Sequence, residues 1–298
     1  MVTPPFLKHG DTIAIVSTAR KITKTDLEPA LELLASWGFK AVLGHTIGAE
    51  EHQFAGDDTL RTQDFQAMLD NTNIKAIWCA RGGYGTVRML DGLNFSVFKK
   101  NPKWIIGYSD ITVLHSHIHN FGIETLHAQM PLEIEKKTEE ARKSILRVLS
   151  GKDHRITCTT INNKNRMGAT AGTLVGGNLS VLYSLCGSST ALNTEGKILF
   201  IEDLEEYLYH IDRMLQNLKR NGMLKNLAAL LVGGMTQMED NAIPFGRSAY
   251  EIVTDVVREY HYPVCFDFPA GHIKDNRALI LGREVQLNVE ETLTTLIF

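Results

Sequence analysis

Between residues 11 and 119 the chain keeps repeating one unit, a short apolar and β-branched run followed by a stretch with helical spacing. Residues 11–17 (DTIAIVS) are the first such run. Thr25 then precedes Leu27, Ala30, Leu31 and Leu34, and Gly38 closes the pattern, which predicts a strand and then a helix. Residues 39–43 read as a second strand. Residues 58–69 read as a helix whose exposed face carries Arg61, Gln63 and Asp64. A third strand at 74–80 (IKAIWCA) enters the turn 81–85 (RGGYG), and a helix starts at Thr86. A fourth strand at 103–107 leads into a helix over 111–119. This rhythm argues for a parallel sheet covered on both faces, with ligands beyond the carboxyl ends of its strands.

After a helix at about 139–149 the character changes, because residues 157–166 (TCTTINNKNR) are polar and turn-rich and lack helical periodicity. We therefore expect an N-terminal α/β domain over 1–150, a linker over 151–168 and a C-terminal domain over 169–298. The second domain carries a Gly-rich segment at 172–180, strands at 197–201, 227–232, 264–266 and 285–288, a long amphipathic helix near 209–221 and another near 247–259. No internal repeat is visible.

Lys+Arg of 31 against Asp+Glu of 34 gives a net charge of -3 without a basic block, so nucleic acid is not an expected partner. The longest apolar runs fall far short of the roughly 20 residues that a spanning helix needs. Residues 1–10 lack a basic region followed by an apolar stretch, so no secretory signal and no membrane partner are expected, and the cytoplasm is the expected location. Cys79, Cys158, Cys186 and Cys265 are widely separated, without CxxC spacing, and read as reduced thiols.

Ser109 lies in Gly107-Tyr108-Ser109-Asp110, between an apolar strand and a helix. At such a junction a hydroxyl is held out of the sheet, and the next backbone N–H can stabilise an oxyanion. Taken alone, Ser109 reads more simply as a helix N-cap, and Ile111 stands where a G-x-S-x-G elbow has glycine. A nucleophilic serine needs a base, and the base needs an orienting carboxylate. Glu202 and Asp203 directly follow an apolar strand, and His272 follows Ala270-Gly271 after the run 263–268. Taken singly, Glu202 also reads as a solvated strand-end acid and His272 as a satisfied loop histidine. The glycines of the 81–85 turn leave backbone N–H groups able to face an anion, although no third glycine completes a dinucleotide fingerprint and no P-loop ending follows. His115, His117 and His119 suggest a metal cluster, but only His115 and His119 share a helix face and no carboxylate partner is evident. Met235 and Met238 read as core packing.

Six segments in this order resemble the LD-carboxypeptidase family of serine peptidases, which includes murein tetrapeptide carboxypeptidases and microcin C self-immunity proteins. They are Phe54-Ala55-Gly56 with Arg61, residues 74–85, residues 107–112 (GYSDIT), residues 176–180 (GGNLS), residues 201–204 (IEDL) with Tyr209 and 211–215, and residues 271–276 (GHIKDN). The resemblance implies an N-terminal parallel-sheet domain similar to class I glutamine amidotransferases and a smaller, β-rich α/β C-terminal domain. It implies a Ser109, Glu202, His272 triad, an oxyanion hole from the backbone of Gly83 and Asp110 beside Gly82, and no metal or cofactor. Arg81, Gly82 and Asn178 are candidates for substrate binding. One departure is His127-Ala128-Gln129-Met130, where many relatives have His-Gly-Pro before the Met, so the local shape of the cleft is expected to differ.

The activity implied is acyl transfer to water, releasing terminal D-Ala from L-Lys or meso-diaminopimelate in muropeptide tetrapeptides during cell-wall recycling, by a homodimer. An amidase acting on peptidyl or aminoacyl nucleotides is the alternative within the family, and a non-catalytic peptide or sugar binder the distant one. Residues 187–195 (GSSTALNTE) contain no aromatic ring to stack on adenine, which favours the muropeptide.

Overall fold

The computed structural model describes residues 1–159 and 161–298. The strands are β1 (Thr12–Val16), β2 (Lys40–Leu43), β3 (Ile74–Cys79), β4 (Trp104–Gly107), β5 (Thr125–His127), β6 (Arg155–Thr159), β7 (Gly168–Asn178), β8 (Ile198–Leu204), β9 (Ala229–Thr236), β10 (Val264–Cys265), β11 (Leu279–Leu281), β12 (Glu284–Val289) and β13 (Leu293–Ile297). The helices are α1 (Glu28–Ser36), α2 (Asp58–Asp70), α3 (Thr86–Leu90), α4 (Ser96–Lys100), α5 (Thr112–His119), α6 (Glu139–Leu149), α7 (Leu179–Ser184), α8 (Leu208–Arg220) and α9 (Ala249–Val256). Two compact units result. One comprises Met1–Asp153 with Lys274–Ile280, the other His154–Ile273 with Leu281–Phe298.

In the first unit the sheet runs β11-β5-β4-β3-β1-β2, and β2, β1, β3, β4 and β5 pair in parallel. Ile13, Ile15, Ile77, Trp78, Ile105 and Ile106 are buried along these strands, as continuous apolar runs covered on both faces require. The segment Lys274–Ile280 is fastened within this unit: the Thr138 hydroxyl donates to Asp275 Oδ1 at 2.7 Å, and the Ala278 N–H donates to Ser144 Oγ at 2.8 Å.

The face of α2 differs from expectation, since Arg61 and Asp64 are buried and only Gln63 is exposed. Asp64 accepts from the backbone N–H groups of His45 and Thr46 at 2.9 and 2.8 Å and from the Thr46 hydroxyl. Arg61 donates to the carbonyls of Thr18 at 2.8 Å and Gly85 at 3.0 Å, and pairs with Asp58. Two charged side chains thus tie α2 to the loops after β1, β2 and β3, a tertiary demand that overrides the polar pattern.

The second unit has one mixed seven-stranded sheet, β10-β9-β8-β7-β12-β13-β6. Strands β10, β9, β8 and β7 run parallel, and β7, β12, β13 and β6 continue antiparallel. Within the segment expected to be a linker, Arg155–Thr159 is a strand in which only Ile156 is fully buried, a pattern too short and polar to stand out in sequence. Residues 172–178 of the Gly-rich segment belong to the eleven-residue β7, held by ladders to β8 and β12 despite the low strand preference of glycine, and residues 179–180 open α7. The amphipathic helix is α8, and Ile211, Met214, Leu215 and Leu218 bury one stripe of it in a core shared with α9 and the parallel strands. Met235 and Met238 pack against that core.

All four cysteines are free thiols, with Cys79 and Cys265 buried. Among the described residues, no helix is long and apolar enough to cross a membrane, and no group of three or more His, Cys, Asp or Glu gathers as a metal site.

Candidate active site

In the first unit β4 is wholly buried and ends at Gly107, where a Cβ would lie 2.7 Å from Ile111 Cγ1. Ile111 therefore occupies the space under the turn. Ser109 takes φ +63, and a short 3-10 helix, Ser109–Ile111, precedes α5. A non-glycine residue in this region is strained, as at a nucleophile elbow. The N-cap role fails: residue 108 is the cap position, and among the described residues no side chain caps the turn.

The turn after β3 lies against this serine. A Cβ on Gly82 would sit 3.2 Å from Ser109 Cβ and 3.3 Å from its Oγ. Gly83 follows at φ +111. The Asp110 N–H belongs to the first turn of the 3-10 helix, where a helix has no internal acceptor. The Asp110 carboxylate turns away and accepts from the Thr86 N–H at 2.8 Å. Burial pushes its carboxyl above the usual range, with the Thr86 bonds and Arg61 opposing. Arg81 is half-buried, and its guanidinium donates to the Lys21 carbonyl at 3.0 Å, in the loop after β1. Burial lowers its pKa, and the nearby Arg20 adds to that effect.

The departing segment after β5 also meets this turn, since the Met130 methyl lies 3.3 Å from the position of a Gly82 Cβ. Gln129 folds inward and donates to the carbonyls of Met130 and Leu132 at 3.1 and 3.0 Å. His115 is fully engaged: its Nδ1 meets the Thr125 hydroxyl at 2.8 Å and its Nε2 the Gly107 carbonyl at 2.9 Å. Burial holds it neutral, with a pKa pulled down to about 4.

In the second unit Glu202 is completely buried on β8. The ladder to β9 slips here, Ile201 pairing with Val232 but Asp203 with Met235, so Glu202 alone faces Gly233-Gly234. A Cβ on Gly233 would stand 2.4 Å from the Ala270 carbonyl oxygen, and the bare backbone admits the loop that carries His272. Gly271 follows at φ +102, its missing Cβ 2.7 Å from Glu202 Cβ and Oε2. As a result His272 Nδ1 donates to Glu202 Oε2 at 2.6 Å, and the His272 backbone N–H donates to the same oxygen at 3.2 Å. Glu202 Oε1 has no partner among the described residues. With the Nδ1 proton held on Glu202, proton exchange falls to Nε2.

Asn178 sits across from Glu202 in the β7–β8 ladder. Its Nδ2 donates to Asp203 Oδ1 at 2.8 Å, and its Oδ1 accepts from the Val181 N–H to cap α7. Asp203, whose role the sequence analysis left open, also accepts from the Ser180 N–H at 2.9 Å. Burial, then the Glu202 charge, pushes its carboxyl up to about 7. The first unit thus gathers Gly82, Gly83, Ser109 and Asp110, and the second gathers Glu202, His272, Asn178 and Asp203. Sequence reasoning missed Arg20 and the Gly233-Gly234 pair. Their signal was position, Arg20 just beyond the carboxyl end of β1 and the glycine pair breaking the apolar run of β9.

Residues 13–128 match the LD-carboxypeptidase N-terminal domain, and residues 171–287 match the LD-carboxypeptidase C-terminal domain. The chain belongs to the LD-carboxypeptidase family. Among its relatives, the probable murein peptide carboxypeptidase of Bacillus subtilis (strain 168) is 33% identical, the match covering 97% of this chain and 92% of that one. The microcin C7 self-immunity protein MccF of Escherichia coli is 28% identical over 95% of this chain and 92% of its own. The crystal structure of muramoyltetrapeptide carboxypeptidase from Oxalobacter formigenes superposes with a TM-score of 0.87 at 26% identity, covering 96% of this chain and 98% of that one.

Proposed function

We propose that this protein is a serine carboxypeptidase that removes the terminal D-Ala from muropeptide tetrapeptides. The observation that carries this is the buried Glu202 clamped on His272 Nδ1 at 2.6 Å. A fully buried carboxylate is costly without partners, and this one is spent on fixing the orientation and tautomer of an imidazole. The strained backbone of Ser109 supports the same assignment from the other unit.

In the proposed reaction Nε2 of His272 takes the Ser109 proton as Oγ attacks the scissile carbonyl carbon. Glu202 stabilises the imidazolium, and the backbone N–H groups of Gly83 and Asp110 receive the developing oxyanion. His272 then gives its proton to the leaving amine of D-Ala. Water, deprotonated by His272, cleaves the acyl-enzyme and restores Ser109. No metal or cofactor enters these steps. In this reading the domain that carries the nucleophile is residues 1–150, and residues 169–298 carry its two partners. A homodimer in the cytoplasm, acting in cell-wall recycling, belongs to the same proposal.

The test is incubation of the protein with a panel of tetrapeptides carrying L-Lys or meso-diaminopimelate at the third position, and with aminoacyl sulfamoyl adenylates, read by mass. Release of D-Ala is the expected result. Cleavage of an adenylate with no D-Ala release from any tetrapeptide would assign the chain to the activity suggested by its microcin-immunity relative.

A further inference from the structure

A carboxypeptidase must hold the carboxylate of the residue it releases. In a leaving D-Ala that group is three bonds from the scissile carbon, about 4 Å away at most, so its cation must stand close to the nucleophile. Arg20, four residues beyond the end of β1, is the candidate. Its stem crosses Gly83: a Cβ there would lie 2.6 Å from Arg20 Cδ and 2.7 Å from Nε. Gly82, next in the chain, abuts Ser109, so the serine and the guanidinium flank two consecutive residues of one turn. The charge of Arg20 is felt by the carboxyl of Asp110, the residue after Ser109.

The main chain that carries Arg20 is fixed. The Ser17 hydroxyl donates to the Arg20 carbonyl at 2.6 Å, residue 20 bridges to Phe54, and the Lys21 N–H donates to the Gln53 carbonyl at 2.9 Å. The side chain is exposed and, among the described residues, makes no ion pair. Arg61 and Arg88 share Asp58, and Arg277 has Asp275. Arg81, the cation favoured by sequence, donates from Nη1 to the Lys21 carbonyl, which ties it to the loop on which Arg20 stands.

We infer that Arg20 is the specificity-determining residue that binds the terminal carboxylate of the substrate beside Ser109. The assignment rests on the carboxypeptidase activity proposed above and identifies the group that selects a free chain end. A planar guanidinium fork matches a carboxylate with two parallel N–H···O bonds.

The test uses the full chain with Ser109→Ala, which binds without turnover, titrated calorimetrically with one tetrapeptide ending in D-Ala and with the same peptide as its carboxamide. The acid is expected to bind roughly 10- to 100-fold more tightly than the amide. Adding Arg20→Ala should bring that ratio close to one, and Arg20→Lys, which keeps a charge and a stem against Gly83, should retain part of it. A preference that survives Arg20→Ala, or a parent protein with no preference, overturns the inference. Wild-type turnover of the same acid is read in parallel. A preference that depends on Arg20 in a protein releasing no D-Ala would refute the proposed activity while upholding the carboxylate contact.

Discussion

Ser109, Glu202 and His272 owe their proposed roles to single local constraints: a positive φ, a fully buried carboxylate and a glycine-lined loop. Groups that act as one unit fail together. Ser109→Ala, His272→Ala and Glu202→Ala are each expected to lower turnover by roughly 10³ to 10⁶, with the triple variant little worse than the worst single one. Steady-state rates decide this, and near wild-type activity in Ser109→Ala would remove the serine mechanism. His115 makes a separate claim on stability. Its pKa is pulled down to about 4 in the folded chain, against about 6.5 when unfolded. Between these values the unfolded state binds the extra proton, so stability is present above pH 6.5 and is lost as the pH falls toward 4, by on the order of 3 kcal/mol. Urea unfolding at pH 4.5 and 7 should show a smaller pH difference in His115→Gln than in wild type. Equal differences would mean that His115 is not the group responsible.

At the level of elements, the junction of β8, β9 and the loop at 270–273 sets the geometry of Glu202 and His272. Gly233→Ala would place a methyl 2.4 Å from the Ala270 carbonyl oxygen, and backbone cannot yield as a flexible side chain does. Overpacking of this kind costs about 1 to 3 kcal/mol, and a displacement of about 1 Å at a catalytic group can cost about 10² in rate. We therefore expect a loss of turnover of about that size with a modest fall in melting temperature. Unchanged kcat beside a clear loss of stability would show that the bulge does not govern His272. The elements themselves were legible where burial is continuous: β1, β3, β4, β8 and β9 all announce themselves as apolar runs. Strands β6 and β7 did not, because one alternates weakly at a sheet edge and the other is rich in glycine, and both are held by ladders to strands distant in sequence.

For the whole molecule, the first unit includes a segment from far along the chain. Residues 1–153 expressed alone lack Asp275, Ala278 and β11, and so lose the Thr138 and Ser144 bonds and one strand of the sheet. The fragment is expected to unfold at lower urea than the first unit of the full chain, and an equal midpoint for the two would contradict this. Selectivity for the D-residue is a further expectation of the proposed function. A pocket shaped for a D-residue leaves groups clashing or unpaired with its mirror image, so the all-L tetrapeptide should be disfavoured by about 10² to 10⁴ in kcat/KM; comparable rates on both diastereomers would count against the proposed substrate. The amino-acid sequence by itself determined the strand and helix alternation, the apolar core, the membership of the family, and Ser109, Glu202 and His272 as candidates, because periodicity and short motifs are local properties of the chain. Only the tertiary structure decided that Arg61 and Asp64 turn inward, that Arg81 donates to the Lys21 carbonyl, and that Glu202 meets His272 across 70 residues. Partners of buried polar groups are chosen by which backbone atoms folding brings within hydrogen-bond reach, and no local pattern encodes that.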